Sequence, residues 1–540
     1  MFTQSPPTLG NQYHDDALLR GYLERTLPRD VLDAVTPQLE RIGGLAGNEL
    51  YQLQLADRLN EPRLVQWDAW GNRIDRIELT ALWREAASIA AREGLVAIPY
   101  EAWHGAHSRV CQFAAIYLFH PSSDFYTCPL AMSDGAARAL LQSGNRALIE
   151  RAVPKLISRD PAVVWTSGQW MTEATGGSDV GSSLTNAARD AEGAWRLTGK
   201  KWFTSAINSQ MALTLVRPEG NGPGGRNLAL FYIETRSPNG ALNGIRVERL
   251  KDKLGTRKVP TAELYLEGAV AHLVGETCNG TRAIEPMLVI TRAWNSISAA
   301  ACMRRALALA QSYAHERSAF GKKLRDLPLH ARTLAWMEAQ THAAALLAFE
   351  LVALVGRDEA NEIKDSERAL LRLLTPVAKL ATAKQAVAVV SEAVEAFGGA
   401  GYVEDTGIPL LLRDTQVLPI WEGTTNVLAL DAVLRSSLVT GVEALRERIT
   451  RCGIGFKEKV LVDHVNAALE SVDGVLRWLS SQPSADTLQA QARTLTMSLA
   501  RALQRALLAE HAGWLLAKKG DRSGLDVIAA FTMNIDDLFG

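Results

Sequence analysis

VVWTSGQWMTEATGGSDV, residues 163–180, is where the periodicity of the chain changes. Upstream, from Ala56 to Ile157, apolar residues recur three and four apart. Examples are ALWREAASIAAREGLVAI at 81–98 and GAARALLQSGNRALIERAVPKLI at 135–157, and this spacing predicts helices. Downstream the runs shorten to WRLT (195–198), ALTLV (212–216), LALFYI (228–233), IRVERL (245–250) and AELYL (262–266). Gly, Pro and Asn punctuate them, with turn pairs at Asn221–Gly222, Asn239–Gly240 and Asn243–Gly244. Short strands with regular turn signals predict a small antiparallel barrel or sandwich.

Helical spacing returns near Ala283 and predicts long helices over 283–317, 327–356 and 364–397. Their breaks fall at Phe320–Gly321, Leu327–Pro328 and Gly398–Gly399, and a short helix follows Glu422. From about 440 the chain reads as more helix, including 461–479 and 485–518. The first 40 residues look like an arm outside the core, with a helical stretch near Asp30 to Ile42. The expected chain is α+β and mainly α. It comprises an N-terminal arm (1–40), an N-terminal helical domain (41–160), an antiparallel β-barrel or sandwich (161–280), a C-terminal helical bundle (281–437) and an extra helical domain (438–540).

Composition narrows the function. The 540 residues are 47% apolar and 22% charged, ordinary values for a globular chain. Lys and Arg number 58 against 59 Asp and Glu, so no global field draws the chain to nucleic acid or an anionic membrane. The five cysteines, Cys111, Cys128, Cys278, Cys302 and Cys452, are scattered, without CxxC or zinc spacing. That predicts a reducing, cytoplasmic setting and no metal site. The start lacks a basic stretch followed by an apolar core, so no secretory signal is expected. The most apolar run, Ala343 to Val355, contains Glu350 and reads as a buried helix rather than a membrane insertion. GxGxxG after a strand, GxxxxGK[ST], HExxH and GxSxG are all absent.

Five polar clusters carry the chemistry. Met171-Thr172-Glu173-Ala174-Thr175-Gly176-Gly177-Ser178-Asp179 offers accessible backbone N–H groups and hydroxyls that suit a phosphate or the polar edge of a flavin. Taken alone, a solvated turn is the commoner fate of such a run. In Lys200-Lys201-Trp202-Phe203-Thr204-Ser205, period-two alternation puts Trp202 and Thr204 on one face, an indole to cover a flat ring and a hydroxyl to bond its edge. Core packing is the plainer reading. His315-Glu316-Arg317-Ser318-Ala319-Phe320-Gly321-Lys322 ends a helix, with Arg317 suited to phosphate and Gly321 to a helix stop. Phe397-Gly398-Gly399-Ala400-Gly401-Tyr402 permits close approach of a ligand to backbone, or simply ends a helix. In Trp421-Glu422-Gly423-Thr424-Thr425-Asn426, Glu422 suits a partly desolvated base and Thr424 a helix cap.

In this order the five clusters resemble the flavin-dependent acyl-CoA dehydrogenase family over about residues 80–435. The first signature departs from the family's usual small residue at Trp170. The finer likeness is to the AidB-type branch, through the arm, the extra C-terminal domain, Lys251-Asp252-Lys253-Leu254-Gly255 and Ile420-Trp421-Glu422-Gly423. The resemblance implies FAD, a homotetramer and α,β-dehydrogenation of an acyl-CoA thioester. It implies Glu422 as the base that removes the α-proton while the β-hydrogen leaves as hydride to flavin N5. Some members carry the base on the helix near 291, but Thr291 cannot serve. It implies that Met171, Thr172, Gly177, Ser178, Trp202 and Thr204 meet the cofactor, with Ser178 also near the CoA entrance. Arg317, Phe320, Glu395, Gly398 and Gly399 would reach FAD across a subunit boundary, and Thr424 and Asn426 would hold its adenosine side. Arg292 and Trp421 would line the acyl region.

Other outcomes on the same fold are a DNA-associated flavoprotein of the alkylation response, an acyl-CoA-binding protein with little turnover, and an oxidase. Residues 440–540 hold 12 Lys or Arg and 12 Asp or Glu, without the basic excess of a DNA-binding domain. Arg446, Arg448, Arg451, Lys457 and Lys459 cluster but alternate with Glu443, Glu447 and Glu458, which reads as a solvated helix face. An electron-transfer flavoprotein is the expected redox partner of a dehydrogenase.

Overall fold

The structure, a computed structural model, describes residues 4–237, 240–435 and 437–532. Asn239 of the expected Asn239–Gly240 turn lies outside the described residues. The chain divides into two compact units. One comprises Met1–Leu55, Ala102–Ser122 and Asn295–Gly540, and the other Ala56–Glu101 and Ser123–Trp294.

The second unit contains the strands. They are β1 (Arg63–Trp67), β2 (Arg73–Glu78), β3 (Ser167–Trp170), β4 (Asn186–Arg189), β5 (Trp195–Ser205), β6 (Met211–Pro218), β7 (Ala229–Glu234), β8 (Ile245–Leu250) and β9 (Thr261–Leu273). The ring β6-β4-β5-β9-β7 closes through a β6–β7 pairing, with β3 on β6 and β8 on β9. Closure into a barrel removes exposed strand edges. The expected all-antiparallel arrangement needs correction, because β3–β6 and β4–β6 are parallel. Neither SGQW nor NAAR alternates, so the sequence pattern does not announce these short strands.

Period-two alternation sorts the barrel's faces. Met211, Leu213 and Leu215 of β6 and Leu230 and Tyr232 of β7 pack with Met132, Leu140, Leu148 and Leu156 of the helices Thr127–Ser143 and Arg146–Leu156. Ala212, Val216, Ala229, Phe231 and Ile233 point the other way, into a cluster with Trp170, Leu197 and Leu264. The unusual Trp170 is thus a buried core residue. Gly168 makes room for it, since a Cβ there would stand 2.4 Å from the Trp170 indole nitrogen. One stretch expected to be helical holds the hairpin β1–β2 instead. Its turn, Asp68 to Asn72, is closed by backbone and Asp68 side-chain bonds.

The first unit is helical. Pro328–Glu359 packs along Asp365–Ala396, and Lys459–Ser480 along Ala485–Lys519. Pro328 starts its helix where a missing N–H costs nothing. Ser484 caps Ala485–Lys519, which ends at left-handed Gly520. The two long central helices have the length and apolarity of a membrane span, yet 83% and 78% of their apolar windows are buried inside the fold. The arm is not peripheral. Helices Ala17–Thr26 and Arg29–Gly47 bury Leu18, Leu19, Tyr22, Leu23, Leu39 and Ile42. Arg25 also pairs with Glu510 at 2.5 Å.

Candidate functional site

In the barrel unit, residues 171–178 lie beside β5. The Trp202 N–H donates to the Thr172 carbonyl at 2.9 Å. A buried ion pair anchors the same loop: Lys201 Nζ lies 2.8 Å from Glu173 and also donates to the Leu215 carbonyl. Glu173 accepts the Leu184 and Thr185 N–H groups as well. Burial opposes ionisation of Glu173, but Lys201 and these donors outweigh it and hold the carboxyl below its ordinary range. Met171 and Thr172 are half-buried, and Gly177 and Ser178 exposed. A Cβ on Gly177 would meet the Thr172 hydroxyl at 2.8 Å, so the glycine keeps backbone open beside that hydroxyl.

A bulge shapes β5. Lys201 pairs with Leu264 and Thr204 with Ala262, so Trp202 and Phe203 together oppose Glu263. The extra residue breaks the alternation expected to align Trp202 with Thr204. Thr204 is buried, its hydroxyl donating to the Ala262 carbonyl at 2.6 Å, whereas Trp202 is half-exposed. The Thr204 oxygen can still accept a bond. Over the Trp202 ring lies Lys251 Nζ, 3.4 Å from the centroid and 2.8 Å from Glu263.

One further feature of this unit, a buried carboxylate, has no signal in the sequence pattern. Asp134, fully buried, accepts Tyr100 Oη at 2.7 Å and Trp294 Nε1 at 2.8 Å. Thr291, buried, donates its hydroxyl to the Leu288 carbonyl, and Arg292 beside it is half-buried.

In the helical unit, Glu422 has φ 58° and Gly423 φ 105°. Left-handed backbone at a non-glycine residue costs ~1–3 kcal/mol and persists only where the surroundings impose it. Here Lys379, buried in Asp365–Ala396, donates to the Gly423 carbonyl at 2.6 Å. Glu422 and Trp421 are both half-buried. Thr424 takes the N-cap position of Thr425–Leu430 without a side-chain cap bond, leaving its exposed hydroxyl and exposed Asn426 outward.

Arg317 and Phe320 sit on a hairpin, Ser318–Ala319 against Lys322–Lys323. Phe320 and Gly321 have φ 52° and 76°, the pattern of a type I′ turn. Gly321 therefore serves the hairpin, since the helix already ends at Glu316. The Phe320 ring is 95% exposed. Glu395, Gly398 and Gly399 are exposed at the end of Asp365–Ala396, and a Cβ on either glycine would meet nothing within 4 Å. Gly401 is different, because a Cβ there would strike the Val394 carbonyl at 2.1 Å. Internal packing therefore explains Gly401 but not Gly399. Phe397 stacks on Tyr313 at 4.5 Å, tying this loop to the helix that leads to Arg317.

In the basic cluster of the C-terminal region the three arginines are paired within the fold, while Lys457 and Lys459 are exposed. Arg446 pairs with Asp473, Arg448 with Glu350 and Glu510, and Arg451 with Glu367. Arg448 is half-buried, its charge compensated by two carboxylates.

Comparison with known proteins agrees with this layout. Residues 4–161 match the adaptive response protein AidB N-terminal domain, 168–269 the acyl-CoA dehydrogenase middle domain and 279–438 the acyl-CoA dehydrogenase C-terminal domain. Residues 457–533 match the acyl-CoA dehydrogenase 11 C-terminal domain-like family. Acyl-CoA dehydrogenase family member 11 of Caenorhabditis elegans is 43% identical over 95% of this chain and 86% of its own. The crystal structure of that ACDH-11 in complex with C11-CoA superposes with a TM-score of 0.94, covering 98% of this chain and 92% of that one at 40% identity. AidB of Escherichia coli (strain K12) is 33% identical over 73% of each chain. An acyl-CoA dehydrogenase of Bacillus anthracis complexed with FAD shares the fold, with a TM-score of 0.71 at 17% identity, over 98% of this chain and 94% of that one.

Proposed function

The chain belongs to the acyl-CoA dehydrogenase family, oxidoreductases acting on CH–CH bonds, in its AidB-type branch with an extra C-terminal domain, and on that premise we propose that it is an FAD-dependent dehydrogenase of acyl-CoA thioesters with Glu422 as base. The observation that carries the assignment is the left-handed Glu422, held by Lys379 through the next carbonyl.

The residues present fit FAD. The open backbone at Gly177, the half-exposed Trp202 and the Thr204 oxygen offer a polar edge and an aromatic cover. The sterically empty Gly398 and Gly399 leave room for a group from outside the subunit. Met171, Thr172, Ser178, Trp202 and Thr204 would hold the ring and its approach. Arg317, Phe320, Glu395, Gly398, Gly399, Thr424 and Asn426 would hold cofactor shared across a homotetramer. When bound, FAD supplies the acceptor for the β-hydrogen as hydride.

The chain's own residues do the rest. Glu422 takes the α-proton, and the α-carbon's electron pair becomes the new C=C bond as the β-hydrogen departs. The Glu422 backbone N–H donates to the thioester oxygen, where negative charge develops. Arg292 and Trp421 line the acyl region. The worm relative's complex with C11-CoA supports an acyl-CoA as substrate. The five free cysteines suit a reducing cytoplasm. An electron-transfer flavoprotein is the proposed electron acceptor. The internal pairing of Arg446, Arg448 and Arg451 argues against the DNA-associated reading.

The test is product analysis. The FAD-loaded protein, given acyl-CoAs of graded length and an artificial electron acceptor, should yield 2-enoyl-CoA detectable by mass spectrometry. Acyl-CoA binding with no enoyl product would replace the proposal with a binding function.

A further inference from the structure

The helices Lys459–Ser480 and Ala485–Lys519 and the end of Ser523–Phe531 enclose a cleft of about 500 Å³. Its residues all belong to the helical unit, and none belongs to the site above. That volume lies within the ~300–1,000 Å³ range of small-molecule sites. Val475, Trp478, Leu495 and Phe531 give it apolar walls. On Ala485–Lys519, Leu495, Ser498, Arg501, Ala502 and Arg505 recur at helical spacing and form one stripe facing the cleft.

Among the described residues, neither Arg501 nor Arg505 has a carboxylate at ion-pair distance, whereas Arg446, Arg448 and Arg451 all do. Arg501 lies over the Phe531 ring, 5.4 Å from its centroid. Arg505, half-buried, donates its Nε–H to His464 Nδ1 at 3.0 Å. An imidazole nitrogen that accepts is unprotonated on that atom, and burial holds His464 below its ordinary range, so this partner brings no negative charge. Burial first, then Arg501, also depresses Arg505. Two guanidiniums one turn apart, with apolar walls beside them, match a single anionic head on an alkyl chain.

We propose that this cleft binds an anionic amphiphile, its carboxylate or phosphate head held by Arg501 and Arg505 and its chain laid against Trp478, Leu495 and Phe531. The site is independent of the dehydrogenase reading.

The test is calorimetric titration of the full chain with decanoate, decyl phosphate and decanol. At least one anion should bind once per chain, and decanol at least ten-fold more weakly. The tighter anion identifies the head group. Arg501→Gln/Arg505→Gln should weaken anion binding at least ten-fold and leave decanol unchanged. Ser498→Glu, at the rim one turn before Arg501, supplies a carboxylate in place of the ligand and should abolish binding, with the melting temperature confirming the fold. Glu422→Gln should bind the anion as the parent does, which separates this cleft from the thioester site. Three results overturn the proposal: decanol binding as tightly as decanoate, anion binding that both arginine-stripe variants leave unchanged, or no anion binding tighter than about 1 mM.

Discussion

The buried ammonium of Lys379 donates to the carbonyl of Gly423, one residue beyond Glu422, at 2.6 Å. The bond joins the middle of a long central helix to the one turn in this region where a carboxylate residue stands left-handed. A charge-assisted bond of this kind contributes ~1.5–3 kcal/mol. Lys379→Met should therefore slow acyl-CoA-dependent flavin reduction at least ten-fold while acyl-CoA affinity changes little. Stopped-flow absorbance with a parallel binding titration checks it.

The ion pair Glu173–Lys201 anchors the 171–178 loop from inside the barrel unit. Glu173→Gln leaves a buried ammonium without its counter-charge, a change that costs ~3–5 kcal/mol. Urea unfolding should show that loss, and Glu173→Gln/Lys201→Met should recover most of it. A single variant as stable as the parent contradicts this role.

Glu510 lies between Arg25 and Arg448, at 2.5 and 3.0 Å. Burial opposes its ionisation, but the two guanidiniums prevail and hold its pKa at about 2. The folded value lies below the unfolded value near 4.5, so the stabilisation is complete above that pH and is lost as pH falls toward 2. Melting temperature should fall more steeply between pH 4.5 and 2 in the parent than in Glu510→Gln, and the variant should be the less stable at pH 7.

Gly399 has open space where a side chain would go. If a cofactor or neighbouring subunit fills that space, Gly399→Leu should leave secondary structure intact yet lower FAD content several-fold. Circular dichroism and the flavin-to-protein absorbance ratio measure both.

The three-part plan of helices, strands and helices was legible because hydrophobic period changes sharply near Val163 and again near Ala283. The five strands with apolar runs are all present, while β3 and β4, which lack such runs, were not visible. The arm was misread because its burial depends on partners hundreds of residues away, as in Arg25 with Glu510. The site's glycine loops stand out in sequence, but what fixes them does not. Lys379 is one lysine in a helix, 44 residues from Gly423, and no spacing rule links them. Glu173 and Lys201 both fall inside quoted clusters, yet only the barrel's closure makes them a pair. The bulge at Trp202–Phe203 was equally hidden, since the local run reads as an unbroken strand.

The central claim is that Glu422 removes the α-proton of a bound acyl thioester. The most direct measurement is anaerobic titration of the FAD-loaded protein with acyl-CoA, in parallel with Glu422→Gln. Loss of the oxidised flavin absorbance in the parent, slowed by ~10²–10⁴-fold in the variant at equal acyl-CoA affinity, is the expected result. Flavin that bleaches equally fast in Glu422→Gln, or that no acyl-CoA bleaches in the parent, would contradict it.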